Sequence, residues 1–140
     1  MNQVKLTWEN GLAFKTEQDG HEFYIDGSLE FGGEDKGPRP KALLLSALAG
    51  CSGMDTVSIL KKMRIPEFKL VIEVDGVLAE EHPKIYTDIE MRFNFSGDDL
   101  PIDKLKRVVE LSIEKYCVVY AMLSKSVKMK DIIKLNGKEV

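Results

Sequence analysis

A chain of 140 residues and 15.8 kDa is about one domain's worth of protein, which excludes a multidomain machine. With 44% hydrophobic and 31% charged residues and a mean hydropathy of -0.17, the composition is that of an ordinary globular protein, and a net charge of -3 supplies no basic field for nucleic-acid phosphates. Two cysteines are too few for a disulfide scaffold, residues 1–6 carry no apolar signal core, and the longest apolar run, 42–49 with Ser46 inside it, falls short of the ~18 to 20 residues of a membrane span, so a cytoplasmic protein with reduced thiols and no membrane segment is expected.

Val4, Leu6 and Trp8 alternate with Lys5, Thr7 and Glu9, the period of a strand with one buried face. Asn10-Gly11 turns the chain, and residues 12–16 and 23–31, separated by Gln18-Asp19-Gly20, extend the pattern into a β-meander. Residues 32–38, with Gly32, Gly33, Gly37 and Pro38, predict a surface loop. Pro40 suits a first helical turn, and the segment 41–63 is free of proline, predicting a long helix that ends on Lys61, Lys62 and Arg64 before Pro66. Leu43, Leu44, Leu45, Ala47, Leu48 and Ala49 are apolar on nearly every side of it, the pattern of a helix buried in a core or a subunit interface.

Two further alternating runs, 68–75 and 85–95, predict an antiparallel pair joined through a polar loop that contains Pro83. Asp98 or Asp99 is placed to cap a second helix, whose stripe of Leu105, Val108, Val109, Ser112, Ile113 and Tyr116 recurs at helical spacing. Residues 118–123 suit a short helix, and 127–135, with Lys128, Lys130 and Lys134, a protected edge strand. Met54, Met63, Met91, Phe93 and Phe95 are expected as core filling. The order of elements predicts a single α+β domain over residues 1–140, and the all-round apolar helix calls for a second subunit to cover it.

Chemistry concentrates at Cys51, in Ala49-Gly50-Cys51-Ser52-Gly53-Met54-Asp55, where small neighbours leave room to approach the sulfur, and at Cys117, some 66 positions later. Each alone suits an inert buried thiol; as a pair they suit a peroxidatic and a resolving cysteine, because a sulfenic acid on one condenses with the other. His21 and His82 stand in separate polar segments and make no zinc spacing with them, so no metal is expected. Ser52 and Ser58 have no histidine and acid in a hydrolase pattern, and Gly32-Gly33 lacks the lysine of a phosphate loop.

The block from Gly37-Pro38-Arg39-Pro40 through Ala49-Gly50-Cys51-Ser52-Gly53-Met54-Asp55, followed by Ile59-Leu60-Lys61-Lys62-Met63-Arg64 and by Cys117 after Glu114-Lys115-Tyr116, resembles the OsmC/Ohr family of osmotically inducible and organic-hydroperoxide-resistance proteins. The resemblance runs over essentially the whole chain. It implies an OsmC-like fold, with β-sheets wrapped around two long central helices in an intertwined homodimer, and sites at the subunit interface. It further implies thiol peroxidase activity on organic hydroperoxides, possible also on hydrogen peroxide, without a cofactor: Cys51 attacks, Cys117 closes a disulfide, and a dithiol reductant resets the pair. Peroxidase members carry an activating arginine in the N-terminal meander and a glutamate at the start of the first helix. Here no arginine precedes Arg39, and the helix starts with Lys41 and Ala42. Arg39 or Lys41 are candidates to substitute electrostatically; the competing reading makes them helix-start surface charges that need partners such as Glu34 or Asp35. Asp55, one helical turn after Cys51, puts a carboxylate on the same face, which opposes thiolate formation unless a cation holds it. The alternative function is therefore a homodimer without efficient peroxidase activity that binds a small apolar or thiol-bearing ligand between subunits.

Overall fold

The computed structural model describes residues 1–140 and divides into two compact units, Met1–Leu44 and Leu45–Val140. In the first, β1 (Val4–Asn10), β2 (Ala13–Gln18) and β3 (His21–Ile25) form the expected antiparallel meander in that order. The Gln18–His21 pair brackets Asp19-Gly20, and both turn residues have positive φ (52° and 79°), as a two-residue turn of the I′ kind demands. The predicted buried face of β1 is not buried within this chain: all seven residues are exposed, Trp8 by 63%. Alternation in a sequence reports that a face wants cover, not that the same chain supplies it.

The extended stretch expected over 23–31 ends at Ile25, and Leu29–Phe31 is a single 3-10 turn. The reason is Asp26. Its buried carboxylate accepts the backbone N–H groups of Gly27 (2.7 Å), Glu34 (3.2 Å) and Lys36 (3.1 Å), curling the glycine-rich segment around itself. Burial alone would raise the Asp26 carboxyl, but the N–H donors of Lys36, Gly27 and Glu34 outweigh it and hold the group below the usual carboxylate range. Gly37 fits because a Cβ there would lie 2.0 Å from the Tyr24 carbonyl oxygen.

The long helix predicted from residue 41 is α1 (Pro40–Lys62), which ends as Arg64 turns to φ 55°. Its buried residues are Leu48, Ser52, Thr56 and Leu60, one stripe at four-residue spacing, while Met54, expected in the core, is 76% exposed. At 23 residues with a mean hydropathy of 1.6 over its most apolar window, α1 is by length and composition long and apolar enough to cross a membrane, which the apolar run 42–49 alone does not reveal. Only 22% of that window is buried.

The second unit continues through β4 (Lys69–Leu78), β5 (Tyr86–Ser96), α2 (Ile102–Leu111), a π-helical turn (Ser112–Tyr116), α3 (Val118–Leu123), β6 (Lys128–Leu135) and β7 (Lys138–Glu139). Its sheet has the order β4-β5-β6-β7, with β4 antiparallel and β6 parallel to β5. A parallel neighbour needs a crossover, which the helical segment 102–123 supplies. Alternate residues of β5, namely Ile89, Met91, Phe93 and Phe95, are fully buried with Leu48 and Leu60 of α1 and Leu105, Val108 and Val109 of α2 in one core. The molecule is thus an α+β protein of two sheets and three helices.

Three expectations change. Neither Asp98 nor Asp99 caps α2: Asp99 sits in a turn at φ 52°, Pro101 occupies the cap, and its carbonyl accepts the N–H groups of Lys104 and Leu105. The stripe through Tyr116 breaks at Ser112, where the π turn inserts extra backbone and rotates Tyr116 outward to 47% exposure. β6 is an edge only in part, since β7 pairs with it at Lys134 and Leu135.

Candidate functional site: a buried thiol pair beside a carboxylate

Within the second unit, the fold assembles its chemistry from two segments. Cys51 and Asp55 are one turn apart on α1, so their side chains share a face. Cys117 comes from the opposite end of the crossover. The N–H of Cys117 donates to Ser112 O at 2.7 Å, a bond spanning five residues that closes the π turn, and the residue then leaves helical geometry (φ -72°, ψ 100°) to become the N-cap of α3. That cap position aims the thiol inward: Cys117 Sγ accepts the Tyr120 N–H at 3.4 Å and the Ser52 hydroxyl at 3.2 Å. Ser112 Oγ donates to Ser52 O at 3.3 Å, tying the π turn to α1.

The sulfur atoms of Cys51 and Cys117 and a carboxylate oxygen of Asp55 lie within 4.8 Å of one another. Both thiols are free, Cys51 half-buried and Cys117 only 2% exposed. Burial pushes the Cys117 thiol above the usual range; the Ser52 and Tyr120 donors pull against this, and the Cys51 sulfur adds to the upward push. Asp55 Oδ2 is shielded from solvent and has no hydrogen-bond partner. A hollow of about 320 Å³ lined by Asp55, Ser58, Ile59, Lys62, Leu111 and Tyr116 opens beside this carboxylate.

Two residues extend the site away from the sulfurs. Tyr120, whose N–H meets Cys117, donates its hydroxyl to Asp131 Oδ2 at 2.9 Å. Burial raises the Tyr120 phenol well above its ordinary range, with the Asp131 bond adding to it. Burial likewise raises the Asp131 carboxyl, against the Tyr120 bond, and Asp131 Oδ1 is buried without a partner.

Residues 33–130 match the family model described as OsmC-like protein. This chain belongs to the OsmC family. It is similar to Protein YhfA of Escherichia coli strain K12, 38% identical over 128 residues that span 91% of this chain and 92% of that protein. Among solved structures it is similar to a hypothetical protein from Aquifex aeolicus, 33% identical with a TM-score of 0.83 over 99% of this chain and 98% of that one. An organic hydroperoxide resistance protein from Elizabethkingia anophelis has the same fold, with a TM-score of 0.70 at 15% identity, covering 97% of this chain and 96% of that one.

The Arg39 guanidinium is engaged by the Asp35 carboxylate and the Gly37 carbonyl within the first unit, the partner that the helix-start reading names. Lys41 lies ten positions before Cys51, in the first turn of α1. Asp55 lies in one cluster with the two thiols. Sequence reasoning missed Ser52, Ser112, Tyr120 and Asp131. Ser52 did leave a signal, being a polar residue on the helix stripe that also carries Leu48 and Leu60; the other three became visible only through the π turn and the pairing of β6 with β5.

Proposed function

We propose that this OsmC-family protein is a two-cysteine thiol peroxidase that reduces organic hydroperoxides in oxidative-stress defence, in a reducing compartment such as the cytoplasm. Cys51 Sγ, the more accessible sulfur, attacks the distal peroxide oxygen of ROOH; the O–O bond breaks, ROH leaves with a proton, and Cys51 becomes a sulfenic acid. Cys117 Sγ then attacks that sulfur, water leaves and a disulfide forms, which an external dithiol reduces back to two thiols. The observation that carries the reading is the approach of two free sulfurs from sequence-distant segments to within 4.8 Å, one half-buried and one buried. A disulfide requires about 2.05 Å, so in this reading the Cys51 side chain rotates towards Cys117 as the bond forms. The Elizabethkingia neighbour named for organic hydroperoxide resistance supports the substrate class through the shared fold.

The protein works as a homodimer in this reading. Met54 of α1 and Val118 and Met122 of α3 are 76%, 64% and 62% exposed, apolar side chains of the kind a second copy of the chain buries. The test is consumption of cumene hydroperoxide with dithiothreitol as donor. Wild type turns over, Cys51→Ser does not, and Cys117→Ser performs one turnover and retains a sulfenic acid that a dimedone-type probe captures. Absence of turnover with any dithiol overturns the proposal.

A second reading is favoured by the charge beside the thiols, which is the Asp55 carboxylate, while Arg39 is engaged by Asp35. In it the dimer binds a small apolar or thiol-bearing ligand without efficient peroxidase activity. Thermal stabilisation by such ligands in the absence of turnover distinguishes it.

A further inference from the structure

We propose that the reduced protein binds one zinc ion per chain through Cys51 Sγ, Cys117 Sγ and the Asp55 carboxylate, leaving the fourth position for water. No sequence motif announces this site, because two of its donors are one helical turn apart and the third arrives from the far end of the crossover. The donor set is the first support. Two sulfurs and one carboxylate oxygen suit a borderline-soft tetrahedral cation, and three protein donors with an open fourth position is a common arrangement for accessible zinc.

Geometry is the second. Zinc–sulfur bonds of about 2.3 Å and zinc–oxygen bonds of about 2.1 Å place tetrahedral donors roughly 3.6 to 3.8 Å apart. The three atoms here lie within 4.8 Å of one another, so closure by at most about 1.2 Å forms the site. Third, Asp55 Oδ2 is shielded from solvent with no hydrogen-bond partner. An unmet buried carboxylate oxygen is costly, and a cation satisfies it directly. Fourth, Cys117 Sγ already has the supporting contacts of a metal thiolate, the Ser52 hydroxyl and the Tyr120 N–H, which fix its orientation. The hollow that Asp55 and Lys62 line adjoins the carboxylate donor.

Zinc binding and the disulfide exclude each other. When ROOH oxidises the metal-bound pair, two thiolates surrender two electrons to form the S–S bond, ROOH takes them up with two protons from water to give ROH and water, and Zn2+ is released because neither sulfur remains anionic. The ion therefore protects the reduced pair and reports its oxidation.

The experiment is titration of the full-length protein with zinc sulfate, followed by calorimetry with a non-thiol phosphine reductant present. Cobalt(II) substitution then gives a sulfur-to-cobalt charge-transfer band. Expected are one ion per chain for reduced wild type, none for the isolated disulfide form, loss of the site in Cys51→Ser and Cys117→Ser, and at least tenfold weaker binding in Asp55→Asn. Binding that survives both cysteine variants, a disulfide form that binds as well as the reduced form, or Asp55→Asn with unchanged affinity overturns the proposal. The wild-type comparison of redox forms needs no variant to fold. Hydroperoxide turnover is assayed separately in chelator, so that failure of the peroxidase reading and failure of the zinc site give different results.

Discussion

Ser52→Ala isolates how the fold prepares the second thiol. The Ser52 hydroxyl donates to Cys117 Sγ at 3.2 Å, and both residues are buried, at 0% and 2% exposure. Hydrogen bonds to charged groups contribute about 1.5 to 3 kcal/mol, and a sulfur acceptor belongs at the low end, so losing this donor costs the thiolate about 1.5 kcal/mol, roughly a tenfold factor, and pushes the Cys117 thiol further up. Only the Tyr120 N–H then opposes the upward push of burial. The variant keeps the Ser52 carbonyl that accepts from Ser112, and alanine suits a helix, so the fold should hold within about 1 kcal/mol. A tenfold smaller thiolate fraction, partly offset by the greater nucleophilicity of a more basic thiolate, slows disulfide closure by roughly three- to fourfold. The assays are thiolate ultraviolet absorbance against pH in a Cys51→Ser background, and stopped-flow disulfide formation with Cys51 restored. An unmoved or lowered titration midpoint refutes the assignment of Ser52 as the donor to the thiolate.

Three other outcomes are expected. In Asp131→Asn the acceptor for the Tyr120 hydroxyl is kept while the buried charge is removed; because the folded Asp131 carboxyl titrates above its unfolded value, its favourable contribution is present only below the ordinary carboxylate range, and the variant should melt higher than wild type at pH 7, by about 1 kcal/mol, with the gap closing towards pH 4. On the alkaline side, Cys117 and Tyr120 both hold their protons longer folded than unfolded, so stability should fall as pH rises past the unfolded thiol value of about 8.5 and again past about 10, and thermal melts of Cys117→Ser should lack the first decline. If the protein is the proposed homodimer, Met54→Glu, at a position 76% exposed in the single chain, converts it to monomer by light scattering with the far-ultraviolet spectrum retained.

How far the residues disclosed the site follows from the range of each interaction. Cys51 and Asp55 were legible as a pair because helical periodicity alone puts positions four apart on one face. The core face of β5 was legible for the same reason at period two, and Met91, Phe93 and Phe95 are indeed fully buried. Met54 and β1 are exposed where their pattern predicts burial, since an amphipathic pattern specifies an apolar surface without specifying what lies against it. Asp26 carries no signal in the sequence because its role, gathering backbone N–H groups from as far as Lys36, exists only once the loop has folded around it.

The sequence by itself determined the local elements, the family and the identity of the two sulfurs, since periodicity, turn residues and the Cys51 block act over short stretches of chain. The meeting of those sulfurs was decided by tertiary structure alone. It depends on a π turn that ends at Cys117, on the Ser112 and Ser52 bonds that fasten that turn to α1, and on a parallel β5–β6 pairing that requires the crossover to pass over the sheet. Contacts between residues separated by 65 positions leave no periodic trace, so only the folded chain could place a buried thiol, a half-buried thiol and an unpartnered carboxylate within reach of one another.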